Sequence, residues 1–355
     1  MSGVLYTEQA WNPLARTVEL TEERLRVGAR DTPVSELNMA AMAEAYLSGQ
    51  WLGGGGAVRP LAALAPGKGI VPVTRITGST HPVTVRRAAE FAHVLGESAV
   101  RRVGGPGAVA ALSEVALAEG VPLWIARRIA PGPAGTIAVA VDRRSARVDV
   151  WSASAPAVRL RAPYGVSPDR RIPDRGLVLT VGEVRAALVV TADRRRPRCA
   201  VTVDIPYRRW ELRRENSRAS RLMCNGHQVA LLARPRPGAG RGMLLQPLAD
   251  AMHQGTDPLD AVMAHAVAAA FGLGDGTGTV RFRTRPLPSR GESVWSDPWY
   301  TNLGSGACDN GPGGGGEWDG GGSGGFDGGG GGGSDGVGGS DGGGDGGGGG
   351  GGGGD

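Results

Sequence analysis

Residues 256–271, TDPLDAVMAHAVAAAF, decide how the chain is read. Asp257 offers a carboxylate to the first free N–H groups of a helix, Pro258 suits its first turn, and Asp260 adds negative charge near the positive end of the dipole. Leu259, Val262, Met263, Ala266, Val267 and Ala270 recur at helical spacing, and the positions between them are mostly alanine. The predicted helix therefore has almost no polar face and must be buried. Gly272 and Gly274 stop it, after which residues 279–285, TVRFRTR, alternate like a strand with Val280 and Phe282 on one side.

A buried helix needs a shell, and the residues before it supply one. Residues 136–141, 147–151, 158–161, 177–181, 184–191, 199–205 and 208–214 read as short strands between turn clusters, without helical periodicity. Residues 220–233 read as a hairpin around Asn225-Gly226, the strongest two-residue turn signal. So many short strands at even spacing predict a meander that closes into a barrel or folds into a sandwich.

Upstream, residues 16–27 predict a hairpin. A helix opens at Ser35, with Met39, Met42, Ala43, Tyr46 and Leu47 on one face, and ends at residues 53–56. Residues 70–76 look extended and residues 82–95 helical, with Ala88, Phe91, Ala92 and Leu95 inward. A strand at 99–103, a helix at 108–119 and a strand at 121–126 complete a small α/β unit. The fold class is thus α+β: a mixed α/β portion over residues 1–130, and a strand-rich domain over 135–290 built on the helix at 257–271. From residue 304 to 355 the chain is nearly all Gly with scattered Asp and Ser, so a disordered tail is expected.

The formal net charge of +5 hides an asymmetry. From Gly304 onward there are eight acidic residues and no Lys or Arg, which leaves 39 basic against 26 acidic residues before it, or +13. Every basic residue except Lys68 is Arg, a bias that GC-rich coding explains as readily as anion recognition. Three cysteines without metal spacing point to a reducing compartment. With no leader pattern and no apolar run of membrane-spanning length, the expectation is a soluble, cytoplasmic protein.

No motif predicts a catalytic residue, a cofactor or a metal. Gly104-Gly105-Pro106-Gly107 lies where a strand would meet a helix N-terminus, so its backbone offers an alternative reading: an enzyme acting on a phosphorylated small molecule. The GxGxxG and GK[ST] signatures are missing, and Pro106 removes a donor. Cys224 and His227 flank a turn and would share a face, yet a nucleophile also needs an orienting group and an oxyanion site. His265 within the apolar helix reads as a core histidine satisfied by one hydrogen bond, and His81, His93 and His253 are scattered.

The remaining signal is arginine. Arg143-Arg144, Arg170-Arg171, Arg194-Arg195-Arg196 with Arg198, Arg208-Arg209 and Arg213-Arg214 all fall in the strand-rich region, several in turns. If those turns collect at one end of a barrel they form a positive rim, and Arg194, Arg195, Arg196, Arg198, Arg208 and Arg209 are the candidate anion-binding residues. Aromatic residues make up only 5% of the chain, too few for a base-stacking platform. The expected function is a binding or adaptor protein whose Arg-rich β surface meets anionic lipid headgroups or nucleic acid, modulated by the acidic tail. A purely structural protein–protein module is the other reading.

The run of strands followed by a nearly apolar helix introduced by Asp257-Pro258-Leu259 resembles the closing part of the tubby-like and phospholipid-scramblase-like group, over residues 136–290. That resemblance implies a β-barrel around a hydrophobic helix and an association with anionic phospholipids. It includes a final strand at 243–246. The ending DAV-AHA-AFGLGDGTG-VRF also resembles that of actinobacterial proteins, which implies no function.

Overall fold

The computed structural model describes residues 3–8, 17–143, 145–163, 174–191, 200–238, 242–255 and 257–282. The chain opens with an antiparallel meander of β1 (Val4–Glu8), β2 (Val18–Thr21), β3 (Arg24–Val27) and β4 (Arg30–Pro33). The expected hairpin is its middle pair, with Val18, Leu20 and Leu25 buried. Helix α1 (Met39–Leu47) begins after Asn38 rather than at Ser35, because the Asn38 side chain accepts from the Ala41 N–H at 3.1 Å and so caps it. Met39, Met42 and Ala43 are buried as expected, whereas Leu47 is exposed.

Next come the hairpins of β5 (Gln50–Leu52) with β6 (Val58–Pro60), and of β7 (Gly69–Thr74) with β8 (Thr80–Val85). The helix expected from residue 82 starts later, because Val83 and Val85 alternate inward as part of β8. Helix α2 (Ala88–Val103) then absorbs the strand expected at 99–103. Ala88, Phe91, Ala92, Leu95 and Ala99 are all buried, so one helical stripe runs straight through Gly96. Gly96 is a packing residue and not a stop: a Cβ there would fall 2.4 Å from Cδ2 of Tyr46 on α1. Glu8 of β1 holds the start of α2, its Oε1 accepting from the Arg86 and Arg87 N–H groups at 2.7 and 3.1 Å.

Helix α3 (Pro106–Glu119) follows α2 directly. The strand expected at 121–126 is an irregular segment whose Val121 and Ile125 pack against Ala140. Alternating apolar residues there fill a crevice rather than extend a sheet.

Eleven strands then form one antiparallel sheet in sequence order: β9 (Arg127–Gly132), β10 (Gly135–Asp142), β11 (Arg147–Ser152), β12 (Ala155–Arg161), β13 (Val178–Val181), β14 (Val184–Thr191), β15 (Ala200–Ile205), β16 (Arg208–Arg214), β17 (Ala219–Cys224), β18 (His227–Ala233) and β19 (Asp250–His253). The sheet curls into a nearly closed barrel around α4 (Pro258–Phe271), in which every residue from Ala261 to Phe271 is buried. The expected buried helix and its strand shell are both present. At the tip of the β17–β18 hairpin Asn225 and Gly226 take φ of 48° and 86°, as the Asn-Gly signal requires.

Two further expectations change. The last strand is β19, since residues 243–246 form no strand. Residues 279–282 are not a strand either, because their backbone closes the helix instead: the Gly278 and Arg281 N–H groups donate to the Phe271 and Ala270 carbonyls at 3.0 and 3.1 Å. Residues 283–285 and 304–355 lie outside the described residues. The whole is α+β, with one apolar core among residues 6–123 and another within the barrel.

Candidate functional site

In an antiparallel meander taken in sequence order, alternate connections open at opposite ends of the barrel. The five at one end are two-residue turns: 133–134, 153–154, 182–183, 206–207 and 225–226. They contain no arginine and one acidic residue, Glu183. The five at the other end, 143–146, 162–177, 192–199, 215–218 and 234–249, contain thirteen arginines and four acidic residues. Of those thirteen, Arg143, Arg175, Arg218, Arg234 and Arg236 are among the described residues.

That end also receives the C-terminus of α4, the negative pole of its dipole. Arg234 donates to the Leu273 carbonyl from Nε and Nη2 at 2.9 and 2.6 Å, and Arg143 Nη1 reaches the Ala269 carbonyl at 3.3 Å. Arg214 Nε pairs with Asp275 at 2.8 Å, and Arg218 donates to the Arg234 and Pro235 carbonyls. A guanidinium bonded to carbonyls keeps its full charge, so this inner ring is structural and still positive. Arg175 and Arg236 are exposed beyond it, with no partner among the described residues.

The six arginines singled out from sequence do not form one cluster. Arg194, Arg195, Arg196 and Arg198 lie outside the described residues, in the connection between Thr191 and Ala200. Those flanking residues pair with each other, and Ala200 also pairs with Arg213. Arg208 and Arg209 sit at the opposite end of β16, beside Ile205 and Asp204. Both are partnered: Arg208 Nη2 donates to Asp257 at 2.5 Å and Nη1 lies 3.5 Å from Asp260, while Arg209 Nε is 3.7 Å from Asp204. Arg213 and Arg221, also on the outer face, meet Glu211 and Glu215. Each of these four arginines thus has a carboxylate beside it.

At the N-terminal end of α4 the charges reverse. Trp210 Nε1 donates to Asp260 Oδ1 at 2.7 Å, and the Arg208 guanidinium lies over the Trp210 ring. Cys224 is buried against this group, and burial first, then the Asp260 charge, pushes its thiol up to about 11. His227 pairs with Cys224 in register but is exposed. A thiol held protonated is the reverse of an activated nucleophile.

Deeper in the barrel His265 is 1% exposed, and neither of its ring nitrogens has a hydrogen-bond partner among the described residues. The single satisfied hydrogen bond expected of a core histidine is therefore missing. His253 faces it from β19 with ring centroids 5.8 Å apart, its Nε2 equally buried and unpartnered. Burial, and then the neighbouring His253, lowers His265 to about 4; burial also lowers His253. Sequence reading missed this pair because the two rings are brought together only by the return of α4 into the barrel.

The turn at 104–107 joins two helices rather than a strand to a helix. Gly104 and Gly105 spend their N–H groups on the Arg101 and Val100 carbonyls at the end of α2, so they are not free for a phosphate. An open cleft of about 320 Å³ lies between α1 and the segment at 122–124, lined mainly by apolar residues with Glu44 and Ser48. The Ser48 hydroxyl donates to the Ala45 carbonyl at 2.8 Å. Among the described residues no group of three His, Cys, Asp or Glu side chains is placed to hold a metal, and no helix is long and apolar enough to cross a membrane. In comparisons with known proteins, the chain matches no family model, no curated protein and no solved structure.

Proposed function

We propose that the protein is a non-enzymatic, cytoplasmic binding or adaptor protein whose arginine-bearing barrel end engages an anionic lipid surface, with the acidic segment 304–355 competing for that end. One observation supports this reading: by sequence, thirteen arginines fall in the five connections that alternate with the two-residue turns and none in those turns, and the five of them that are described are Arg143, Arg175, Arg218, Arg234 and Arg236. Connections that all leave the same end present their charge in one direction, which suits an extended surface of phosphates. The scarcity of aromatic residues argues against base stacking and so favours lipid headgroups over single-stranded nucleic acid. The resemblance of residues 136–290 to the tubby-like and phospholipid-scramblase-like group supports the same choice.

The test is binding of the full chain, and of the chain ended after Leu303, to phosphatidylserine vesicles and to duplex DNA across a salt series. Removing the eight tail carboxylates is expected to strengthen vesicle binding most at low salt, where the Debye length is about 30 Å rather than about 8 Å. Charge reversal of Arg194, Arg195 and Arg196 is expected to undo the gain. A steep salt slope on DNA with no vesicle binding assigns the end to nucleic acid instead. Failure of the shortened chain to bind either surface at low salt would sink the proposal.

A further inference from the structure

Buried polar groups are nearly always partnered, and each orphan is costly. The barrel nevertheless brings three unpartnered ring nitrogens together on His253 and His265. His265 sits in the middle of α4, among eleven consecutive buried residues from Ala261 to Phe271. The neighbouring backbone carbonyls of such a helix are taken by its own N–H groups, so they offer the ring nothing. His253 pairs in register with Ala230, which is fully buried, so its ring shares the inner face of the sheet. The rings are tilted by 59° and not stacked. Packing alone gives no reason for two imidazoles here, whereas a ligand that takes a lone pair from each does.

The surroundings restrict that ligand. No carboxylate or thiolate among the described residues joins the two rings in a group of three. Hard cations such as magnesium and calcium require oxygen ligands, and a structural zinc ion takes four donors, commonly with thiolates. A dication with only neutral ligands would be heavily penalised in an apolar interior. Copper is a metal that imidazole nitrogen suits as a ligand. Its monovalent form carries half the charge and accepts two donors in a nearly linear arrangement. Metal–imidazole bonds of about 2 Å separate two opposed nitrogens by about 4 Å. With each nitrogen about 1.1 Å from its ring centre, such a pair has centroids about 6.2 Å apart, so the 5.8 Å between these rings calls for a shift of about half an ångström. β19 is an end strand of the sheet, so His253 stands on a strand that borders the barrel seam.

We propose that His253 and His265 bind one copper(I) ion between their imidazoles, inside the barrel and independent of the arginine-bearing end. The full chain, titrated without oxygen against the copper(I) chelator bathocuproine disulfonate, is expected to withdraw one equivalent of copper. X-ray absorption of that complex is expected to show two nitrogen neighbours and no sulfur. His265→Leu removes two orphaned nitrogens and is expected to remain folded by circular dichroism, as is His253→Leu; both are expected to bind copper at least about a hundredfold more weakly. A chain in which Cys199, Cys224 and Cys308 are replaced by Ser is expected to bind as the wild type does. Three outcomes would overturn the proposal: no copper withdrawn by the folded wild type, copper retained in both histidine variants, or binding lost with the cysteines. One equivalent of zinc held as tightly and lost in the same variants would overturn the assignment to copper(I).

Discussion

Arg208 Nη2 donates to Oδ2 of Asp257 at 2.5 Å, while Oδ1 of the same carboxylate caps α4 by accepting from the Leu259 N–H at 2.9 Å. The guanidinium bond holds Asp257 below the usual carboxylate range. A sequence candidate for ligand binding thus locks the N-terminus of the central helix to the barrel wall. Arg208→Ala is expected to cost about 1 kcal/mol in urea denaturation, a modest figure because both side chains are about a third exposed. The same variant is expected to leave vesicle binding unchanged. Weakened binding at unchanged stability would return Arg208 to the anion-contacting set.

Gly96→Ala raises helix propensity in α2 by about 1 kcal/mol and, on an exposed surface, would stabilise. Here the added Cβ would fall 2.4 Å from Cδ2 and 2.5 Å from Cγ of Tyr46. Steric cost is expected to win, with a net loss of about 1–3 kcal/mol in urea denaturation. The double variant with Tyr46→Ala is expected to lose less than the sum of the two single changes. Simple additivity would place the helices farther apart than described.

The same contact explains where the fold was legible. Helix α4 was readable because its signal is local: a cap, a proline, an apolar run and a glycine stop. The barrel strands were readable from period-two alternation between turn residues. At 99–103 and 121–126 the local pattern misled, because short apolar runs look alike in a strand, a helix stripe or a plugged crevice; the first continues the α2 stripe and the second packs on Ala140. Strands β4, β5, β6 and β9 pair with neighbours in sequence, but RDTP, QWL, VRP and RRIAPG are too short or too rich in Pro and charge to show period-two alternation. The arginine clusters were visible, but that Arg208-Arg209 and Arg213-Arg214 stand at opposite ends of β16 follows from the strand between them. The His253–His265 pair follows from the path of α4, which no spacing of single histidines reveals.

His81 on β8 lies 3.3 Å from Arg30 Nη2 through its Nε2. Burial first, then the charges of Arg30 and Arg75, lowers it to about 4. Its folded pKa is below the unfolded value of about 6.5, so the stability it contributes is fully present above that pH and is lost as pH falls toward 4. The difference in stability between wild type and His81→Gln is expected to shrink by on the order of 1–2 kcal/mol across that window, after allowing for partial exposure. His265 and His253 act in the same direction, and taking the difference between the two proteins isolates His81. A His81 ring resonance that titrates near 6.5 would contradict the expectation.

Asp149 is the buried counter-charge on which α3 meets the barrel. Its side chain is 1% exposed and accepts from Arg147 Nε at 2.7 Å, Arg159 Nη1 at 2.9 Å and Arg161 Nη2 at 2.5 Å. Two of these guanidiniums reach onward to the end of α3: Arg159 Nη2 donates to the Glu119 carbonyl at 2.6 Å and Arg147 Nη2 to the Gly120 carbonyl at 2.6 Å. Asp149→Ala strands three cations around one cavity, and breaking such a group typically costs about 3–5 kcal/mol. Asp149→Asn keeps the shape and loses only the charge, so its cost is expected to be smaller but in the same direction. Because the arginines aim at α3 only while the carboxylate holds them, the Gly120 and Val121 amides, which bond back to Leu117 and Ala116, are expected to exchange faster in both variants. Replacing Arg147, Arg159 and Arg161 by Met together with Asp149→Leu is expected to recover much of the stability, since an apolar cluster of similar volume carries no desolvation penalty. Wild-type denaturation by Asp149→Ala would mean the arginines find other acceptors, and that the bonds of Arg127 and Trp151 to Glu119 suffice to link α3 to the barrel.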